Sequence, residues 1–189
     1  MTLRRDDALR ALIPHIREDD IVVAVYQTNF DWMALNPRDL NYVAVGAMGQ
    51  ASSHGLGLAI ANPDRRVIVL DGDGSLLMNL GSMVTIAGAQ VTNLYHFVFA
   101  NRVYEVNGSH PLPSAERVDF SWMALAAGYK DAFRYSDLDS FTEDLPAFLS
   151  GDGPQMAALE IVAGEAYPRD YAYIHSAEAR KTFADALNR

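Results

Sequence analysis

The chain has no cysteine among its 189 residues. Disulfides, thiolate metal sites and thiol nucleophiles are therefore excluded, and the composition suits a reducing compartment. It also lacks any run of about 18 apolar residues, the length a membrane-spanning helix needs. Its opening, MTLRRDDALRALIPHIREDD, mixes acids and bases without the apolar stretch of a secretory leader, so no membrane association and a cytoplasmic location are expected. Basic residues are scarce, with 15 Lys and Arg against 24 Asp and Glu and a net charge of -9. No clustered basic stripe faces a polyphosphate backbone, so nucleic acid is not an expected partner.

Several familiar signatures fail as well. The dinucleotide spacing G-x-G-x-x-G breaks at Ile60 after Gly55 and Gly57, and again at Leu77 after Gly72 and Gly74. The serine of GDGS lacks the G-x-S-x-G frame of a hydrolase elbow. His15, His54, His96 and His175 have no metal-ligand spacing such as H-E-x-x-H and read as structural or surface residues.

Half of the residues are apolar, enough for one globular domain over residues 1–189. Leu3, Leu9, Leu12, Ile13 and Ile16 recur at helical spacing before the β-rich run IVVAVY at 21–26. QASSHGLGLAIAN reads as a tightly packed helix, RVIVLDG as a short buried strand, LLMNLGSMVTIAGAQ as a helix and LYHFVFAN as another buried strand. Then come helical FSWMALAAGY, DAFRYS, the helix DLDSFTEDLPAFLS, the strand AALEIVA and an amphipathic helix SAEARKTFADALNR. Strands apolar on both faces and alternating with helices predict an α/β fold, a doubly wound and mainly parallel sheet flanked by helices.

In such sheets ligands lie beyond the carboxyl ends of the strands. The strand RVIVL reaches that edge on DGDGS. Gly72 and Gly74 let the backbone turn sharply and approach a ligand, while Ser75 and the helix start after it offer N–H groups to an anion. A carboxylate beside an anion repels it unless a cation lies between them. Asp73 therefore implies a divalent metal, Mg²⁺ above all, with a phosphate-bearing ligand. The strand LYHFVFAN ends on Asn101, separated from Gly74 by 26 residues. One helix and one return strand fill that gap, and a right-handed crossover sets the two strand ends side by side. Asp73 and Asn101 can then face one ion. The plainer alternative is a turn with two capping side chains.

GDGS, with 26 residues between Gly74 and Asn101, resembles the metal and diphosphate motif of thiamine diphosphate enzymes, and the upstream VGAMGQASSHGLGLA strengthens the resemblance. The resemblance implies a thiamine diphosphate-binding fold with Mg²⁺ held by Asp73, Asn101 and the carbonyl of Val103. It places Gly72, Gly74 and Ser75 at the diphosphate, with Tyr104 and Thr28 nearby. It gives the Gly46 carbonyl to the aminopyrimidine and makes Met48 the bulky residue that bends the cofactor; Met48 as plain core filler is the other reading. NRVYEVNG at 101–108 is similar to the NGAYESTG loop of sulfopyruvate decarboxylase β subunits and of the carboxyl half of phosphonopyruvate decarboxylases. Tyr104, Glu105 and Gly108 match that loop, while Arg102, Val106 and Asn107 depart from it. YQTNFDWM departs from their TGMTSREL-like turn except at Thr28, which leaves the identity of the 2-oxo acid open.

The resemblance covers only the diphosphate half of such enzymes. It implies a separate pyrimidine-binding, α-type subunit that supplies an activating glutamate, and hence a hetero-oligomer acting on a small 2-oxo acid. The expected reaction is decarboxylation to an aldehyde and CO₂, with an acetolactate synthase-like carboligation or a non-catalytic cofactor-binding chain as alternatives. His110, just past the metal loop, is the candidate catalytic acid. Glu105 reads as a loop organiser or interface residue, since it lies on the diphosphate side.

Overall fold

The structure is a computed structural model that describes residues 2–43 and 47–189. In chain order it contains α1 (Arg5–Leu12), β1 (Ile21–Ala24), α2 (Tyr26–Leu35), β2 (Asn41–Tyr42), α3 (Ala51–Ala61), β3 (Val67–Gly72), α4 (Asp73–Leu77) and α5 (Gly81–Ala89). These are followed by β4 (Leu94–Ala100), β5 (Val103–Tyr104), β6 (His110–Pro111), α6 (Phe120–Ala127), β7 (Asp131–Tyr135), α7 (Leu138–Ser150), β8 (Gln155–Glu160), α8 (Tyr171–Ile174) and α9 (Ala177–Leu187).

Six strands form one sheet in the order β2-β1-β3-β4-β8-β7, and every pairing within it is parallel. The fold is thus the expected α/β arrangement. Alternation along each strand divides the core between the two faces. Val67 and Val69 of β3 join Leu94 and Val98 of β4 under α3, α5 and α6 on one face. Ile68 and Leu70 join Phe97 and Phe99 under α1, α2 and α7 on the other. Strands buried on both faces need apolar residues at nearly every position, which is why these runs do not alternate with polar ones.

Local chemistry sets the helix ends near the carboxyl edge. Asp119 caps α6 by accepting from the Trp122 N–H at 3.1 Å, and Asp137 caps α7 by accepting from Ser140 N–H at 2.9 Å. Gly128 ends α6 with φ +104°, a conformation that favours glycine.

Three expectations are corrected. The first strand stops at Ala24, the last residue registered against β3, and the chain turns through Tyr26, at φ +44°, directly into α2. The apolar pattern of Val25 and Tyr26 continues past the point where pairing ends. The helix expected from Leu76 to Gln90 begins earlier, at Asp73, and is broken around Met78–Leu80. There the Met78 and Asn79 N–H groups bond three residues back, to Ser75 and Leu76, and the Asn79 side chain is drawn to the Gly49 carbonyl at 2.9 Å. The first helix ends at Leu12 and tightens into a single 3₁₀ turn at Ile13–His15, where Pro14 removes an N–H.

Candidate cofactor and metal site

The sheet order reverses between β1 and β3. From β1 the chain leaves into α2 on one face, where Trp32 is buried; from β3 it leaves into α4 on the other, where Leu76 is buried. Such a reversal opens a crevice beyond the carboxyl ends of the two strands. A cavity of about 50 Å³ lies there, lined by Val25, Gln27 and Thr28 after β1, by Gly72 to Ser75 after β3, and by Met48, Asn101, Val103 and Tyr104. Most of the residues singled out from sequence therefore converge on one cleft. Gly46 lies outside the described residues. His110 is exposed on β6, pairs across the hairpin with Tyr104, and is not among the cleft's lining residues.

Asp73 is almost fully buried, and its two carboxylate oxygens accept from the backbone N–H of Gly74 at 2.8 Å and of Arg102 at 2.6 Å. Burial pushes its pKa up to about 6, backbone hydrogen bonds offset part of that rise, and the charge of Asp71 adds to it. Among the described residues Asp73 has no ion-pair partner. A desolvated carboxylate at a strand end, held only by backbone N–H groups, is an anion short of a counter-charge.

Asn101 stands on the next strand end. Its Oδ1 accepts from the Val103 N–H at 3.1 Å and its Nδ2 donates to Glu105 at 2.8 Å. An amide oxygen carries two lone pairs, so one stays available. The loop is pinned further by Tyr104, whose ring lies where a Cβ on Gly74 would be, 2.7 Å from Cδ1. Gly72 differs, because a Cβ there would meet nothing within 4 Å among the described residues beyond its chain neighbours. Across the cleft the Gly49 N–H donates to Ser75 Oγ at 3.0 Å, which ties the segment carrying Met48 to the start of α4.

These donors fit a hard divalent cation. They offer one carboxylate, one amide oxygen and the backbone carbonyl of Val103, all oxygens, which leaves room for phosphoryl oxygens and water. No cluster of three or more His, Asp or Glu side chains suited to a metal occurs among the described residues, so a cation here would depend on its ligand for the rest of its shell. Pockets that enclose drug-sized ligands measure about 300–1,000 Å³. At about 50 Å³ this cleft admits only one end of such a ligand.

Sequence reasoning missed the charged group that Arg5 builds along one wall of the cleft. Arg5 of α1, with its side chain 4 % exposed, donates from Nε to Asp31 at 2.6 Å and from Nη1 and Nη2 to Glu105 at 2.7 and 3.2 Å. Gln27 donates to the other oxygen of Asp31 at 2.8 Å. Burial works against the Arg5 charge, but Glu105 and Asp31 outweigh it and hold the pKa above its ordinary value. The only signal in the sequence is a set of charges in segments that otherwise read as a surface helix and a turn. His96 belongs to a separate buried group, 3.4 Å from Asp71 and 3.2 Å from the Tyr129 hydroxyl.

Residues 23–158 match the thiamine pyrophosphate enzyme family's C-terminal TPP binding domain. The chain is similar to the phosphonopyruvate decarboxylase of Streptomyces viridochromogenes, at 38 % identity over 83 % of this chain and 39 % of that protein. It is also similar to the sulfopyruvate decarboxylase subunit beta of Methanothermobacter thermautotrophicus, at 32 % identity over 88 % of this chain and 86 % of that one. The chain thus spans about two fifths of the phosphonopyruvate decarboxylase and nearly the whole of the β subunit. Among solved structures, a Mycobacterium smegmatis protein provisionally assigned as thiamin diphosphate-dependent superposes with a TM-score of 0.73 at 19 % identity, over 85 % of this chain and 32 % of that one. That last likeness concerns the fold alone. No helix among the described residues is long and apolar enough to cross a membrane.

Proposed function

Because this chain belongs to the thiamine pyrophosphate enzymes through their C-terminal TPP-binding domain, we propose that it is the diphosphate- and Mg²⁺-binding subunit of a cytoplasmic 2-oxo acid decarboxylase. The substrate class is that of sulfopyruvate or phosphonopyruvate, and the products are an aldehyde and CO₂. The observation that carries the reading is the meeting of Asp73 and Asn101 at adjacent strand ends beside the sheet's reversal, around a cleft with oxygen donors. Asp73, Asn101 and the Val103 carbonyl hold the cation. Gly72 leaves the space a diphosphate oxygen needs and Ser75 brings its N–H to it, while Gly74, whose own N–H is taken by Asp73, lets the backbone lie close. Thr28, in the first turn of α2, and Tyr104 line the same end. Met48, which lines the cleft, would support the cofactor, and Gly46 would accept from its aminopyrimidine.

When bound, the thiamine diphosphate supplies the electron sink for loss of CO₂. This chain's part is to fix the phosphoryl end and keep that end dry. His110 is the proposed acid for the product-forming proton, which requires the hairpin to approach the cleft when the complex is assembled.

A partner is part of the proposal. A cleft of about 50 Å³ holds the metal end alone, and the relative of similar length is named as a β subunit. The complementary, pyrimidine-binding α-type subunit closes the remainder and supplies the activating glutamate. The test is to co-express this chain with a candidate partner, load Mg²⁺ and thiamine diphosphate, and follow CO₂ release from sulfopyruvate, phosphonopyruvate and pyruvate. Aldehyde formation from a substituted pyruvate is expected. A hydroxyketone from pyruvate would favour carboligation, and cofactor binding without turnover in any pairing would leave a non-catalytic binding chain.

A further inference from the structure

Asn101 can serve a hard cation only if its amide points the right way, because the oxygen ligates and the NH₂ repels. Two neighbours decide that orientation. The backbone N–H of Val103 can only donate, and it meets Oδ1 at 3.1 Å; the carboxylate of Glu105 accepts the other end, Nδ2, at 2.8 Å. Glu105 is itself held, since both of its oxygens take hydrogen bonds from Arg5 at 2.7 and 3.2 Å. Arg5 is anchored in turn by Asp31, which is fully buried and bonded to Gln27. The guanidinium therefore reaches from α1 to the metal loop, 100 residues later in the chain. A bidentate guanidinium pair fixes the plane of a carboxylate as well as its position.

We propose that Glu105, clamped by Arg5, is a positioning residue that fixes the Asn101 amide with its oxygen toward the cleft. This rests on the metal site proposed above. Glu105 lines the cleft, but the role assigned to it is exerted through Asn101, and its own charge is committed to Arg5. The role differs from that of an activating acid because it requires Glu105 to accept a hydrogen bond. It makes a specific demand: exchanging the two residues' chemistry, with a carboxylate at 101 and an amide at 105, preserves the hydrogen bond with its direction reversed and again leaves an oxygen for the cation.

The test uses Mn²⁺ with inorganic pyrophosphate on the full chain, read by calorimetry and by the electron paramagnetic resonance of the bound ion. Wild type, Glu105→Gln, Asn101→Asp and the double variant are compared, with thermal unfolding run on each. Glu105→Gln in the wild-type background is expected to weaken Mn²⁺ binding by about tenfold, the scale for loss of an outer-shell partner. In the Asn101→Asp background the same substitution is expected to strengthen binding, because it replaces a carboxylate clash with a hydrogen bond. This reversal of sign is a rescue that a purely structural role for Glu105 would not produce. Binding by the wild type with any other pattern among the variants overturns the positioning role and leaves the site standing. A wild-type chain that binds no Mn²⁺ with pyrophosphate overturns the site, and the positioning role with it.

Discussion

The carboxyl edge of the sheet has two crevices. The first lies between β1 and β3, where the strand order reverses, and the second beyond the ends of β4 and β8, lined by Ala100, Ala158 and Glu160. They differ in what fills them. The second encloses only about 20 Å³ and is laced by ion pairs: Arg134 with Asp119 at 3.2 Å and with Glu160, and Arg102 with Glu160 at 3.1 Å and Glu116 at 3.0 Å. The first encloses about 50 Å³; its own ion pairs, Arg5 with Asp31 and Glu105, do not reach Asp73, which lies between the two crevices with backbone partners only among the described residues. Two aspartates mark the contrast. Burial pushes Asp73 up to about 6. Burial also acts on Asp119, but there hydrogen bonds from Ser121 and Trp122 and the charge of Arg134 prevail and hold it below the ordinary carboxylate range. A reversal of strand order provides a hollow; whether the hollow is a site depends on whether its charges already satisfy one another.

That comparison can be broken most forcefully at Arg5. Removing a guanidinium that serves two carboxylates leaves buried charge uncompensated, so Arg5→Met should cost about 3–5 kcal/mol in urea unfolding. A loss under about 1 kcal/mol, the usual value of exposed ion pairs, would make the first crevice no different in kind from the second. Asp73→Asn comes next. It should lower Mn²⁺ affinity in the presence of pyrophosphate by roughly a hundredfold or more, beyond the range for an outer-shell partner. Calorimetry with unchanged affinity would remove the cation from the first crevice.

The two glycines of the strand end sharpen the same contrast. Gly74→Ala drives a methyl to 2.7 Å from the Tyr104 ring, and overpacking of that kind should destabilise by about 1–3 kcal/mol. Gly72→Ala meets no atom within 4 Å among the described residues beyond its chain neighbours, so its stability should stay within about 0.5 kcal/mol of wild type while pyrophosphate binding weakens. Equal effects of the two substitutions on stability would mean that the space at Gly72 is not reserved for a ligand. The smallest effect is expected in the second crevice. The folded-state pKa of Asp119 is depressed, so its stabilisation is fully present above the unfolded value of about 3.9 and is lost as pH falls through the folded value. The difference in melting temperature between wild type and Asp119→Asn should therefore shrink from pH 6 to pH 3. A constant difference would show that Asp119 acts there as a cap alone.

Local signals were sufficient for much of this molecule. The runs VIVL and LYHFVFA are apolar at every position but His96 because both faces of β3 and β4 are covered, and that pattern exists before any folding. The glycines around Asp73 and the interval to Asn101 likewise foretold two strand tips side by side, given the single hand of parallel crossovers. Where the sequence misled, a local pattern was overruled by a distant partner. Val25 and Tyr26 continue a strand pattern, but β3 offers Ala24 its last registered neighbour. Asn79 interrupts a helix because the Gly49 carbonyl, 30 residues earlier, claims its amide. Strands of two residues, such as β2, β5 and β6, are too short to carry any period.

By itself, then, the sequence determined the α/β class, the order of the long strands and the two side chains that end β3 and β4, because each depends on residues close together in the chain. Only the tertiary structure decided which crevice stays open, what orients Asn101, and that Arg5 and Asp31 belong beside the site. Those depend on charges meeting across 26 to 100 positions of sequence, and pairing at that range leaves no periodic trace in the residues that take part.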